Sequence, residues 1–564
     1  MIRARLGALL VVAGVPFAAV SVSAGQAQMR TTEPRAVLVF VPDASFEELM
    51  AVPDIASLAR AGGAALLAQT EPLVDLLHNG VGVGEVRTVA DGETVNIANL
   101  VERAASGSLL EDPREVLVIV VGAALGEPSA SAEGGIVMAA GRFDELFPET
   151  GEQGSLSSDS TRRDGVVIGD DVRATIEAYH GGQGSSGDDA HAGEPIEIIA
   201  GPPPFELYDR YLAQRRLYVP IGTAAAVYVI GAGVLAIGLL ARGGRAPVAW
   251  RRVMGWASLS VPMLATGLLA AGHLPELSYA TAVPMVAIVT VFGTMAFSPL
   301  ERAETTLVPF GIGIAILIAF VLEAATGWAG MLTPLLGGSQ LDGGRFYGLP
   351  NVALGLLVGS CLWVAHRLGT VAGFALLCGA GLFAGLPFLG ADLGGAVTSF
   401  AAAGLWVAVR ERDRLAIAKG AAVTVAVTAI GTAVILVSHA FSPFQTHVTR
   451  FESDTSGLGG MIGTLVERLE AGFDLIARNP AALIPVVGLP IALFVALRPP
   501  PPIRATFKRW PAWRDAVVVT FVAGIVAYLV NDTGPAAAGL FFGLGLGGMV
   551  GVSLLAPTGK MEAE

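Results

Sequence analysis

Four short polar segments, three of them containing glycine, interrupt the apolar second half of the chain: LDGGRFYGLPN (341–351), GADLGG (390–395), SHAFSPFQTH (438–447) and NDTG (531–534). The chemistry open to these residue types is anion binding. Glycines let backbone amides approach an anion, and the Arg345 guanidinium can fork onto a phosphate. Asp342, Asp392 and Asp532 can pair with that arginine or hold a cation, while Asn351, His439 and Asn531 add hydrogen-bonding groups. Each segment alone also reads as a helix cap or turn, Asn531 and Asp532 being ordinary turn formers. The recurrence of four such segments at one membrane level is what points to a substrate-binding site. His180 and His191 flank a loop with Asp188 and Asp189, a composition that suits either a metal site or an exposed acidic loop.

The elements that must position these residues are membrane helices. Of the 564 residues 53% are hydrophobic and 15% charged, with a mean hydropathy of +0.64, too apolar for a soluble globular protein of this size. The 72 glycines suit helices that pack backbone to backbone in lipid. A crossing of about 30 Å of hydrocarbon needs ~20 apolar residues. Eleven such runs are predicted, near 217–241, 253–272, 278–297, 306–325, 349–366, 370–388, 391–409, 417–438, 481–497, 514–530 and 534–556. The loops 242–252, 298–305, 366–369, 410–419 and 498–514 hold most of the basic residues of this half. The positive-inside rule therefore places them in the cytoplasm with the C-terminus, and the four polar segments outside. Leu458, Met461, Ile462, Leu465, Leu469, Phe473 and Ile476 recur at helical spacing, which predicts a helix over 458–478, either lying in the outer interface or packed under the outer domain. The net charge of −13 argues against nucleic acid as a partner, leaving the lipid bilayer. Cys361 and Cys378 both fall in apolar runs and form no disulfide framework.

Residues 1–28 have a basic start and an apolar stretch, the pattern of a signal peptide or an uncleaved anchor, so residues 30–215 are expected outside a bacterial cytoplasmic membrane. In that part, strand-like runs at 36–41, 115–121, 165–169 and 196–201 alternate with helical or glycine-rich stretches, which predicts an α/β domain with a buried sheet. Gly151–Ser160 and Gly181–Gly193 lack periodicity and read as loops.

The segment VLVFVPDASFEELMAVPDIASLARAGGAALLAQT (37–70) resembles the opening of the alkaline phosphatase superfamily, and STRRDGVVIGDDVRATIEAYHG (160–181) resembles a late segment of the same family, with Asp171 and Thr175 at matching positions. The resemblance covers about a third of the chain. It implies Asp43 and Asp171 as metal ligands, Thr70 as the nearest candidate for a catalytic nucleophile, and two divalent metals, zinc or manganese, where that site is intact. The chemistry departs from the family. The strand that should end in Ser-Asp-His-Gly reads VLVIVVGAALGEP (116–128), without Asp or His at its end. Asp43 and Thr70 also have bland readings, as a strand-terminal cap and a structural threonine. DGGRFYGLPN, GAD-x-GG and ND-x-G together resemble segments of uncharacterised bacterial membrane proteins that pair a phosphatase-like domain with about a dozen helices. This chain lacks the glutamate of that pattern at Pro350–Val352.

The expected architecture is an α/β alkaline-phosphatase-like domain followed by an all-α polytopic bundle of about 11 helices (217–556). The outer domain is then a pseudoenzyme in the cell envelope, binding or processing a phosphate-bearing lipid or lipid-linked headgroup. If it is an enzyme, the reaction is phosphoryl or phospho-headgroup transfer, as in the membrane phosphoethanolamine transferases whose architecture it resembles. The rivals are a transporter or flippase with the domain as lid, disfavoured because Glu323 is the charge nearest a helix centre, and a non-enzymatic envelope scaffold.

Overall fold

The computed structural model describes residues 36–42, 64–68, 83–88, 117–123, 135–142, 154–161, 165–179, 194–200, 204–242, 246–274, 276–328, 335, 347–410, 414–442, 488–491, 498–531 and 534–557. Eight strands come first: β1 (Ala36–Pro42), β2 (Ala64–Ala68), β3 (Val83–Thr88), β4 (Leu117–Ala123), β5 (Gly135–Arg142), β6 (Gly154–Ser157), β7 (Val166–Ile168) and β8 (Glu197–Ala200). They form one mixed sheet in the order β3-β1-β4-β5-β2-β6-β8, with β7 pairing β2. β1 is parallel to both β3 and β4, whereas β5 is antiparallel to β4 and β2. β1, β4, β7 and β8 stand where apolar runs predict strands. β6 corrects the expectation of a loop over Gly151–Ser160, because Gly154–Ser157 pairs antiparallel with β8. Helix α1 (Gly169–Tyr179) follows β7.

The remaining helices of six or more described residues are α2 (Pro204–Ala241), α3 (Val248–Leu259), α4 (Val261–Gly272), α5 (Tyr279–Met295), α6 (Ser298–Ala303), α7 (Leu307–Ala325), α8 (Asn351–Gly385), α9 (Leu393–Arg410), α10 (Arg414–Ala440), α11 (Pro501–Arg509), α12 (Pro511–Val530) and α13 (Gly534–Leu555). Among the described residues eight helices are long and apolar enough to cross a membrane, or up to nine when the bent α3–α4 pair counts as one span. The chain is a multi-pass membrane protein. Several stretches expected as basic loops are partly helical: α3 begins at Val248 and so includes Arg251 and Arg252, and α6 and α11 fill most of 298–305 and 498–514. α3 and α4 meet at a 46° bend. Pro262 has no N–H to continue the helical ladder. Hydroxyls take up carbonyls around the bend, Ser258 Oγ donating to Met254 O (2.8 Å) and Ser260 Oγ to Ala257 O (2.9 Å).

α8 is two antiparallel legs. A straight helix of its 35 residues would separate its ends by about 52 Å. Instead the Leu349 N–H just before it donates to the Gly390 carbonyl just after it, at 2.8 Å. The reversal is made at Gly369 (φ 84°, ψ −175°), a backbone conformation open essentially only to glycine. A Cβ on Gly373 would lie 3.0 Å from the Cβ of Ala365, as it must if the chain doubles back. The first leg runs parallel to α13. Gly355 meets Leu540 and Phe541, Gly359 meets Leu544, and Gly548 lies under Trp363, both sequences ascending together.

Buried Trp363, Trp406, Trp513, Phe320 and Phe541 sit in one core shared by α7, α8, α9, α12 and α13. The Trp363 and Trp513 rings meet edge to face at 5.9 Å, both over Gly548, where a side chain would collide with them.

Side-chain pairings sort the loops onto two ends of the bundle. At the basic end Arg252 pairs with Glu301 (2.9 Å), Arg367 with Glu304 (2.7 Å), and Arg410 approaches Asp515 (3.8 Å). The His366 and Trp513 rings, 5.1 Å apart, tie these groups together. Residues 349, 390, 394 and 531 gather at the other end. Substituting Gly369→Ala adds a Cβ that meets nothing within 4 Å, so its effect isolates the backbone reversal. The detergent-solubilised full chain should lose about 1–3 kcal/mol of stability. An unchanged thermal unfolding curve would mean that the chain does not turn at this residue.

Candidate functional site

The end of the bundle opposite the basic pairings brings together residues from all four polar segments. The backbone bond between Leu349 and Gly390 joins the first to the second, and the Tyr347 hydroxyl adds a bond to the Phe388 carbonyl at 2.6 Å. Gly394 meets the fourth, since a Cβ there would overlap the Asn531 Oδ1 oxygen. His439, of the third, lies against the end of α8, its Nε2 donating to the Gly385 carbonyl at 2.8 Å.

Asn351, Asp392, His439 and Asn531 are all buried. Asp392 is fully buried at the start of α9, where its Oδ1 accepts the Gly395 N–H at 2.9 Å, and its own N–H donates to Ala384 O. It therefore caps the helix. Asn531 follows α12 and turns its Nδ2 back to Ala527 O at 3.0 Å. Asn351 opens α8, whose first turn has no side-chain cap after Pro350. Asp342, Arg345 and Asp532 lie outside the described residues, as do Asp43, Thr70, His180, Asp188, Asp189, His191 and the helix expected over 458–478.

Sequence reasoning missed the backbone geometry of this end. Among the described residues the two non-glycine residues with positive φ are Trp328 (65°) and Ala391 (48°). Both are at this end, and the Trp328 indole N–H donates to the Leu389 carbonyl at 2.9 Å. Gly348 (φ 90°) sits where a Cβ would overlap the Gly390 carbonyl. A left-handed conformation at a residue with a side chain costs roughly 1–2 kcal/mol. Nothing in the order of residues announces this for Ala391, whereas Gly348 lies in a segment legible as a cap or turn. A half-buried pair also lies here: His273, at the end of α4, hydrogen-bonds Glu323 near the end of α7, the imidazole 39% and the carboxylate 3% exposed. The sequence showed Glu323 but not its partner, 50 positions away.

Asp171 lies at the start of α1, apart from these residues in sequence, and fully buried. Its Oδ2 accepts the Ser158 hydroxyl (2.5 Å) and the Ile168 N–H (2.8 Å), and its Oδ1 the Glu194 N–H (3.0 Å). Thr175, also matched by the resemblance, donates to the Asp171 carbonyl (2.6 Å) and accepts the Ile196 N–H (2.8 Å). The two side chains fasten β7, α1 and the approach to β8. The described residues contain no group of three His, Cys, Asp or Glu able to hold a metal, and both Asp171 oxygens accept protein donors. Burial pushes the Asp171 carboxyl above its ordinary range, outweighing the bonds from Ser158, Ser160, Ile168 and Glu194. Burial, then the charges of Asp159 and Asp171, push Glu194 up likewise.

Comparison with family models, with curated proteins and with solved structures finds no match to this chain. What can be said of the site rests on its own geometry.

Two measurements follow. Gly348→Ala should destabilise the chain by more than about 1 kcal/mol, whereas Ala391→Gly, which relieves the left-handed penalty, should stabilise it by ~0.5–1 kcal/mol; equal signs in thermal unfolding would contradict this backbone geometry. Asp171→Ala leaves the buried Ile168 N–H without that acceptor and should cost about 1–3 kcal/mol. With its pKa raised in the folded chain, the Asp171 contribution is complete below the unfolded value of about 3.9 and is lost as pH rises through the folded value. The wild-type chain should therefore gain stability relative to Asp171→Asn as pH is lowered from neutrality, and a gain in the opposite direction would exclude the burial effect.

Proposed function

We propose that the chain binds the phosphate-bearing headgroup of a lipid or lipid-linked molecule at the glycine-rich end of its helical bundle, with that end on the outer side of a bacterial cytoplasmic membrane. The observation that carries this reading is the parallel packing of α13 against the first leg of α8. Neighbouring antiparallel helices offset each other's dipoles, but these two begin at the same end, as does α9 beside them, so their positive N-terminal potentials add there. The first turn of α8 has no side-chain cap, and the N-terminal end of a helix favours negative charge. Backbone strain concentrated at Trp328 and Ala391 belongs with the same assignment, since such strain gathers at binding and catalytic sites.

The outward orientation rests on the basic pairings at the opposite end, which the positive-inside rule assigns to the cytoplasm. In this reading the strands before α2 belong to an extracytoplasmic alkaline-phosphatase-like domain that holds or presents the headgroup without metal-dependent cleavage. A transporter remains the second reading, favoured by one feature, the broken span at α3–α4.

The test uses the full chain in phosphatidylcholine nanodiscs with a phosphatidic acid analogue that carries a photoreactive group at the headgroup. Adducts are expected at 347–351 and 388–395, reduced roughly tenfold in Gly348→Ala, equivalent to one lost charge-assisted hydrogen bond. Equal labelling by a diacylglycerol analogue without phosphate would overturn the assignment.

A further inference from the structure

The face of α13 turned away from α8 lines an open groove that also runs along α2, the α3–α4 bend and residues 488–491. Its walls include Gly233 and Ile237 of α2, Ser258 and Val261 at the bend, and Gly543 and Gly547 of α13. The lining is apolar, and its one hydroxyl, that of Ser258, donates to Met254 O at 2.8 Å. Just outside, the Tyr228 hydroxyl pairs with that of Ser260 at 2.7 Å. No side chain on the wall is thus left to recognise a polar guest.

Position decides what fills such a groove. Gly543 to Val550 lie nine to sixteen residues into α13, about 14–24 Å along its axis and within the ~30 Å of a bilayer's hydrocarbon. The mouth is continuous with the lipid-facing flank of α2, where Val234, itself on the groove wall, is 54% exposed and Leu235 61%. Hydrocarbon chains are the surrounding solvent there. A chain lying in the groove touches α2, the α3–α4 bend, residues 488–491 and α13, whereas one on the open flank touches only one helix, so dispersion contacts favour the groove.

We propose that this groove is a binding site for the hydrocarbon tail of a bilayer lipid. It holds whatever the headgroup, and it stands apart from the glycine-rich end because it uses the opposite face of α13.

The experiment places the full chain in phosphatidylcholine nanodiscs containing phosphatidylcholine with a diazirine at the end of one acyl chain, followed by photolysis and peptide mapping. Residues 543–550 should be labelled more than Phe292 or Val371, although these are 70% and 81% exposed. Gly233 has nothing within 4 Å of a built Cβ, and a Cβ on Gly543 meets Val261 at an ordinary 3.4 Å. Gly233→Leu combined with Gly543→Ala therefore fills the groove without a backbone clash and should lower that labelling roughly tenfold, the equivalent of about two displaced methylenes. Gly222→Leu, equally unobstructed on the same helix but outside the groove, should leave it unchanged. A diacylglycerol carrying the same tail probe should label 543–550 equally well, so this result and the phosphate dependence at the other site succeed or fail separately. The proposal is overturned if 543–550 are labelled no more than the exposed flank, as when another segment of the chain fills the groove, or if Gly222→Leu lowers labelling as much as the filling pair.

Discussion

One backbone hydrogen bond, from Leu349 to Gly390, fixes more of this molecule than any other contact. It closes the hairpin whose turn is Gly369, and so makes α8 two crossings of ordinary length in place of one helix too long for a bilayer. It also determines which residues share an end. Were α8 straight, Asn351 and Asp392 would lie on opposite sides of the membrane and no common site would exist. The geometry demands glycine at both ends of this arrangement, at Gly369 for the reversal and at Gly348 for the close approach to the Gly390 carbonyl.

The two ends of the bundle are stabilised by different physics. At the basic end long side chains pair: Arg514 reaches Asp515 at 2.6 Å, and Arg367 reaches Glu304 at 2.7 Å. Burial alone would raise the Glu304 carboxyl, but hydrogen bonds from Thr306 and Arg367 outweigh it and hold the group below its ordinary range. Partly exposed pairs of this kind contribute about 0–1 kcal/mol each, enough to fix short connections without making the end rigid. At the other end backbone groups do most of the work. Carbonyls of 385, 388, 389 and 390 each receive a donor from another segment. A site made of backbone is less tolerant of substitution than one made of flexible charged side chains, because a Cβ cannot swing away.

Much of this was legible from residue order alone. Ten of the eleven expected apolar runs coincide with described helices, and of the ninth only 488–491 are described. The loops grouped by charge are those that the ion pairs group in space, because hydrocarbon thickness and loop charge both act locally on the sequence. Illegible were features that depend on partners distant in sequence. β2 is a five-residue apolar run that periodicity does not distinguish from helix, and β6, with the sequence GSLS, carries one apolar residue; only their neighbours make them strands. Ala391 adopts a left-handed conformation because Leu386 and Ala384 accept bonds from 391 and 392, not because alanine prefers it. The parallel packing of α13 on α8 was equally hidden, since loop charge orders crossings by side but not by neighbour.

That parallel packing gives α13 two unlike faces. One is closed, with Gly548 admitting two indoles so tightly that a Cβ would stand 2.8 Å from Trp363 and 3.0 Å from Trp513. The other is open, with Gly543 facing Val261 at 3.4 Å beside the groove. Glycine on the first face permits close contact between helices; on the second, Gly547 does the same against the Ser258 carbonyl, while Gly543 leaves room beside it. The same residue type, five positions apart on one helix, therefore serves opposite ends: tight protein packing where two tryptophans meet, and a cleft where α2 stands off. Packing in lipid lacks a hydrophobic driving force between helices, so close glycine contacts carry much of the association. The close contacts under Trp363 and Trp513 on one side, and of Gly547 and Gly551 against α3 on the other, hold α13 in place while Gly543 stays open beside α2.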